Sequence, residues 1–152
     1  MNDLLGWQQT RWGMTEAEIV LAVGANRLER IERAKYQNMY ADLVVPLVEV
    51  GKYRFDVIFQ MDNQSDKLAQ VIVTHDADPS FESTGPRDQA IEILSEKFGR
   101  PSRVGTSDTW RWHFPTTTID VVHVHIPDNI AKISVRYFPT SRSVATDRAS
   151  AF

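Results

Sequence analysis

What most constrains this chain is a run in which every second residue is large and apolar. Tyr53, Phe55, Val57, Phe59 and Met61 alternate with Lys52, Arg54, Asp56, Ile58 and Gln60. A period of two sends the two sets to opposite faces of a β-strand, and an amphipathic helix does not have that repeat. The pattern returns at Trp110, Trp112 and Phe114, set against Thr109, Arg111 and His113. It returns again at Val122, Val124 and Ile126 against Val121, His123 and His125, and at Ile133, Val135 and Tyr137 against Lys132, Ser134 and Arg136. Leu43, Val45 and Leu47 open another strand, in which Pro46 predicts an edge position or a bulge. Asp62-Asn63-Gln64-Ser65-Asp66 is turn chemistry, so Leu68 to Thr74 is expected to fold back on the strand before it.

Helix signals lie between these runs. Thr15 followed by Glu18 forms a capping box, Ile19, Val20 and Val23 continue as an apolar stripe, and Gly24 is a natural stop. Leu28, Ile31, Lys35 and Met39 fall at helical spacing and predict a solvent-facing helix over 26–40. Pro86 suits a first helical turn, with Ala90, Ile91, Leu94 and Phe98 as its buried stripe and Gly99 and Pro101 as its end. Each half thus reads as a helix closing at a glycine and then about three strands. The expected fold class is α+β: two helix-then-three-strand units (12–75 and 84–138) forming one antiparallel sheet of about six strands, with helices packed on one face. Phe55, Val57, Phe59, Trp110, Trp112, Val122, Val124, Val135 and Tyr137 are the predicted core, with Ile91, Leu94 and Phe98 added from the helix. The 152 residues, 42% of them hydrophobic, suit a single domain, and the small polar stretch 139–152 is expected to be a frayed tail.

Composition removes several functional classes. Seventeen Lys and Arg against twenty Asp and Glu leave a formal charge of −3, which argues against bulk-charge binding to nucleic acid or anionic membrane. The absence of cysteine rules out disulfides, thiolate chemistry and Cys-ligated zinc. No apolar stretch approaches the roughly 20 residues that span a bilayer. The start at Met1-Asn-Asp-Leu-Leu-Gly has no basic region or long apolar run, so the expectation is cytoplasmic if Met1 is the native start and periplasmic if a leader was removed. No glycine-rich nucleotide loop, Gly-x-Ser-x-Gly elbow or other cofactor fingerprint is present, and no cofactor is expected.

At Trp12-Gly13-Met14-Thr15-Glu16-Ala17-Glu18-Ile19 the chain resembles the SmpA/BamE-like group of small α+β domains. The likeness covers mainly residues 12–74, through the capping box, the helix ending at Gly24 and the strands turning at Asp62-Asn63. That group shares its helix-plus-sheet unit with the tandem-repeat β-lactamase inhibitor protein. The resemblance implies a domain that binds another protein and performs no chemistry. This chain carries no cysteine for a lipid anchor, which sets it apart from the outer-membrane lipoproteins of the group.

With the aromatics under the helices, the opposite sheet face is expected to carry Lys52, Arg54, Asp56, Gln60, Arg111, His113, His123, His125, Lys132, Ser134 and Arg136, with Ile58, Ile119 and Val121 among them. Bases outnumber acids in that set, so Arg54, Arg111, His113, Lys132 and Arg136 are the candidate contacts to an acidic surface on another protein. A sheet with one solvated face is polar on that side in any case. Arginines and aromatics are split between the two faces, which argues against base stacking on the sheet. His123-Val124-His125 places two imidazoles on one side of a strand about 7 Å apart. They are candidate metal ligands, with His113, His75, Asp76 or Asp78 as a third. The expected function is a non-enzymatic protein-binding module of inhibitor, immunity or adaptor type. The alternative is a small metal-dependent enzyme or metal-binding protein centred on His123 and His125. A ligand pocket between helix and sheet would leave no mark on the sequence.

Overall fold

The computed structural model describes residues 3–80 and 84–141. Its centre is one eight-stranded, wholly antiparallel sheet. Helix α1 (Glu16–Val23) precedes β1 (Glu29–Lys35), β2 (Met39–Val50), β3 (Tyr53–Asp62) and β4 (Leu68–Asp76). Helix α2 (Gly85–Phe98) precedes β5 (Ser102–Arg103), β6 (Thr109–His113), β7 (Thr117–Ile126) and β8 (Ile130–Pro139). The order across the sheet is β1-β2-β3-β4-β8-β7-β6-β5, so two four-strand meanders meet where β4 pairs with β8.

This overturns the expected α+β arrangement of about six strands beneath a layer of helices. The sheet has eight strands, four rather than three in each half. At about 4.8 Å per strand it is roughly 34 Å wide, whereas helices of 8 and 14 residues are only about 12 and 21 Å long. Much of the cover comes instead from segment 7–14. The Thr10 hydroxyl donates to the Trp7 carbonyl at 2.7 Å, Trp12 Nε1 donates to Thr117 Oγ1 at 2.9 Å, and Gly13 and Met14 exchange backbone bonds with Leu68.

The predicted helix over 26–40 is also overturned, for a local reason. A register shift between Arg30 and Ala34 inserts a bulge into β1, so its half-buried residues, Ile31 and Ala34, stand three apart. That spacing imitates a helical stripe. A second bulge, between Val45 and Val48, follows Pro46 and puts Leu47 at φ 57°, where its N–H donates to Asp56 Oδ1 at 3.0 Å. The capping box at Thr15 and Glu18 forms as the sequence requires, and both helices close at Gly24 and Gly99. The expected tail begins later than residue 139: Thr140 is buried and donates its hydroxyl to the Phe114 carbonyl at 2.6 Å. Residues 142–152 lie outside the described residues.

The core fills one face, the inner one. Phe55, Val57, Phe59 and Met61 of β3 lie level with Val71 and Val73 of β4, Val135 and Ile133 of β8, Ile119 and Val121 of β7, and Trp112 of β6. Ile19 and Val23 of α1 and Ala90 and Leu94 of α2 join this core, while Ile91, Phe98, Trp110 and Tyr137 are partly buried against it. Beside α1, Arg33 clasps the buried Asp42 through two bonds of 2.9 and 2.7 Å and stacks 4.0 Å from the Tyr40 ring centroid.

Two outcomes follow. Gly51 has φ 62° in the β2–β3 turn, and a Cβ there collides with the Gln89 side chain of α2. Gly51→Ala is expected to lower stability by about 1–2 kcal/mol in chemical denaturation, with part of the loss recovered in a Gln89→Ala background. The Arg33 guanidinium beside Asp42 holds that carboxyl below its ordinary range. A depressed folded pKa contributes stability that is complete above the unfolded value, about 3.9, and is lost as pH falls through the folded one. Wild type should therefore exceed Asp42→Asn in stability at pH 7, with the gap closing on acidification below about pH 4.

Candidate functional site

The face opposite the core is the open face, and its geometry follows from strand register. Arg111 pairs with Asp120, Asp120 with Arg136, Arg136 with Ile72, Ile72 with Ile58 and Ile58 with Val44. These six residues form one row across six strands, roughly 24 Å long, charged at the β6 end and aliphatic at the β2 end. Beside it runs a second row of Thr109, Val122, Ser134, Thr74 and Asp56. Beyond that, at the β7–β8 hairpin, Val124, Ile126 and Ile130 are 40, 46 and 45% exposed. An aliphatic cluster this accessible, on the same face as free guanidinium groups, is the feature of the molecule best suited to contact.

The basic candidates behave differently from one another. Arg111 is engaged: its Nε and Nη2 donate to the two carboxylate oxygens of the buried Asp120 at 2.7 and 2.9 Å. This is a bidentate fork between neighbouring strands, a structural pair rather than a free contact. Lys132 lies 3.9 Å from Asp76, an exposed and weak pair. Arg136 and Arg54 are exposed and make no ion pair among the described residues. His113 is exposed on β6 and lines, with Arg111, a groove of about 640 Å³ between the end of α2 and the β6 edge, where Lys97 and Arg100 face a lone acid, Asp3. The expected excess of base is therefore reduced: Glu49 stands opposite Arg54, Asp120 neutralises Arg111 and Asp76 neighbours Lys132.

Strand β7 has the opposite phase to the one expected. Ile119 and Val121 are fully buried in the core, and Val122 and Val124 face outward. His123 and His125 consequently sit on the inner side. His123 Nδ1 lies 3.3 Å from Asp108 Oδ2, which Arg87 also holds at 3.1 Å, and His125 Nε2 lies 3.2 Å from the Pro79 carbonyl. His75 faces inward as well, bonded to the Arg54 carbonyl at 2.8 Å and packed on Phe55, whereas His113 is on the opposite face. Asp78 accepts from the Ser80 N–H at 2.9 Å. No cluster of three or more His, Asp or Glu side chains able to hold a metal exists among the described residues. The structure does not bring the two imidazoles together with any of the expected third ligands.

Comparison with protein-family models, curated proteins and solved structures finds no match. Nothing in these comparisons bears on the expected resemblance to the SmpA/BamE-like group, drawn mainly from residues 12–74. No helix among the described residues is long and apolar enough to cross a membrane.

The Arg111–Asp120 fork yields a clear outcome. Asp120→Ala removes the two-pronged bond of a partly buried guanidinium and is expected to cost about 1–2 kcal/mol, while Arg136→Ala, on an exposed side chain with no ion pair among the described residues, should fall within about 0.5 kcal/mol of wild type. Paired urea denaturation of the two variants reads the difference.

Proposed function

We propose that the chain is a non-enzymatic protein-binding module whose open sheet face holds another protein carrying an acidic side chain. The observation that carries this reading is the open face itself: the half-buried Ile58 and Ile72 of the cross-strand row and the exposed Val124, Ile126 and Ile130 of the hairpin share it with Arg136, a guanidinium with no ion pair among the described residues. Apolar contact supplies the association energy, and Arg136 and Arg54 supply orientation through two-pronged bonds to carboxylate. A patch of about 24 Å suits the roughly 800 Å² that one side of a standard interface buries.

Binding through a face rather than an edge follows from how the edges are built. The outer strand β1 carries Glu29, Arg30, Glu32, Arg33 and Lys35 in seven residues and is bulged. The other edge, β5, has only two residues. Charged, bulged and very short edge strands all oppose the addition of a further strand. An inhibitor, an immunity protein and an adaptor share this mode of steric occupation.

The test is affinity capture from an extract of the native host, with wild type beside an Arg54→Glu/Arg136→Glu variant. One stoichiometric partner held by wild type and lost by the variant, at unchanged melting temperature, supports the reading. Equal recovery by both removes the open face from the interaction.

A further inference from the structure

Helix α2 does not lie flush on the sheet. Between them is a cavity of about 190 Å³, floored by Val57, Val73, Val135 and Tyr137 and roofed by Ala90 and Leu94. Trp7 closes one side, its ring edge-on to Phe59 at 5.6 Å, and the exposed Glu49 and Lys97 stand at the mouth. For scale, an engineered 150 Å³ hydrocarbon cavity binds benzene. This one has room for a single ring with a short substituent. Its walls are chiefly hydrocarbon, so an unpaired charge inside would carry a prohibitive desolvation cost.

One polar group disturbs the apolar lining. Burial pushes the Tyr137 phenol up to about 12, so it stays protonated and able to donate. Its hydroxyl makes no side-chain hydrogen bond among the described residues, yet no fully enclosed side-chain polar atom there lacks a partner. The hydroxyl is therefore in reach of solvent, and Tyr137 is one of the residues that line the cavity. Empty, this arrangement forfeits packing and leaves the hydroxyl to water; a guest of the right shape restores the packing and takes the hydrogen bond in place of water.

We propose that the space beneath α2 binds a small uncharged molecule, one ring or a hydrocarbon of similar size, bearing a carbonyl or hydroxyl oxygen that accepts a hydrogen bond from Tyr137. The site is on the face opposite the protein-binding row and does not depend on it.

Heteronuclear NMR titration of the full chain with acetophenone, benzene and benzoate tests this. Acetophenone should give saturable shifts at cavity residues and bind roughly two- to tenfold tighter than benzene, the worth of one ordinary hydrogen bond, while benzoate gives none. Tyr137→Phe should erase the advantage of acetophenone and leave benzene binding unchanged. Val48→Phe, which narrows the cavity from a half-buried position, should weaken both neutral probes; if that variant fails to fold, Tyr137→Phe decides alone. Absence of saturable shifts with either neutral probe, binding of benzoate as tight as that of acetophenone, or an acetophenone preference that survives Tyr137→Phe would overturn the proposal.

Discussion

Everything distinctive in this molecule depends on the ladder between β4 and β8. Six residue pairs, from Val71 with Tyr137 to Asp76 with Lys132, make one sheet of two meanders. The ladder is stabilised on both sides: Val71, Val73, Ile133 and Val135 bury into the core, and on the other face Thr74 Oγ1 donates to the Ile133 carbonyl at 3.2 Å. Both proposed sites straddle this seam. The open-face row passes from Arg136 on β8 to Ile72 on β4, and the cavity floor takes Val57 and Val73 from one half and Val135 and Tyr137 from the other. Separate halves would possess neither.

How far this fold could be read in advance depended on whether local pattern or remote pairing decided each element. Strand β3 was legible because its alternation is strict and its inner residues are all large. The helix starts were legible because capping is a contact between residues three apart. Segment 26–40 was not, since a bulge in β1 turns a two-residue period into an apparent three-residue one. Strand β7 failed differently. Ile119, Val121, Val122 and Val124 offer aliphatic residues to both faces, and such a strand contains no phase of its own. Pairing of Val121 with Val135 across the sheet fixes which set goes inward, and no window along the chain contains that information.

The site was legible to a similar degree. Arg54, Arg111, His113, Lys132 and Arg136 do stand on strands with their side chains away from the core, as period two requires. The sequence pattern concealed their pairing. Asp120 lies nine residues from Arg111 in the chain yet directly across from it in the sheet, and this converts an apparent binding arginine into a structural one. Arg136 also stands opposite Asp120 in register, on the other side of β7, but the fork is made by Arg111 and Arg136 has no ion pair among the described residues. The cavity left no sequence signal, because a space between α2 and the sheet depends on how closely two layers approach.

The seam also has a meaning for synthesis on the ribosome. Strand β4 emerges about 60 residues before β8, since Thr74 and Ile133 are 59 positions apart. At 5–20 residues per second, the first meander waits roughly 3–12 s with β4 as an uncovered margin. Ahead of its last two residues, His75 and Asp76, that margin reads Leu68-Ala69-Gln70-Val71-Ile72-Val73-Thr74, largely apolar, strand-forming and free of charge, unlike the guarded β1 at the other side. The nascent half-sheet is thus most adhesive along the line where its own completion is still to come.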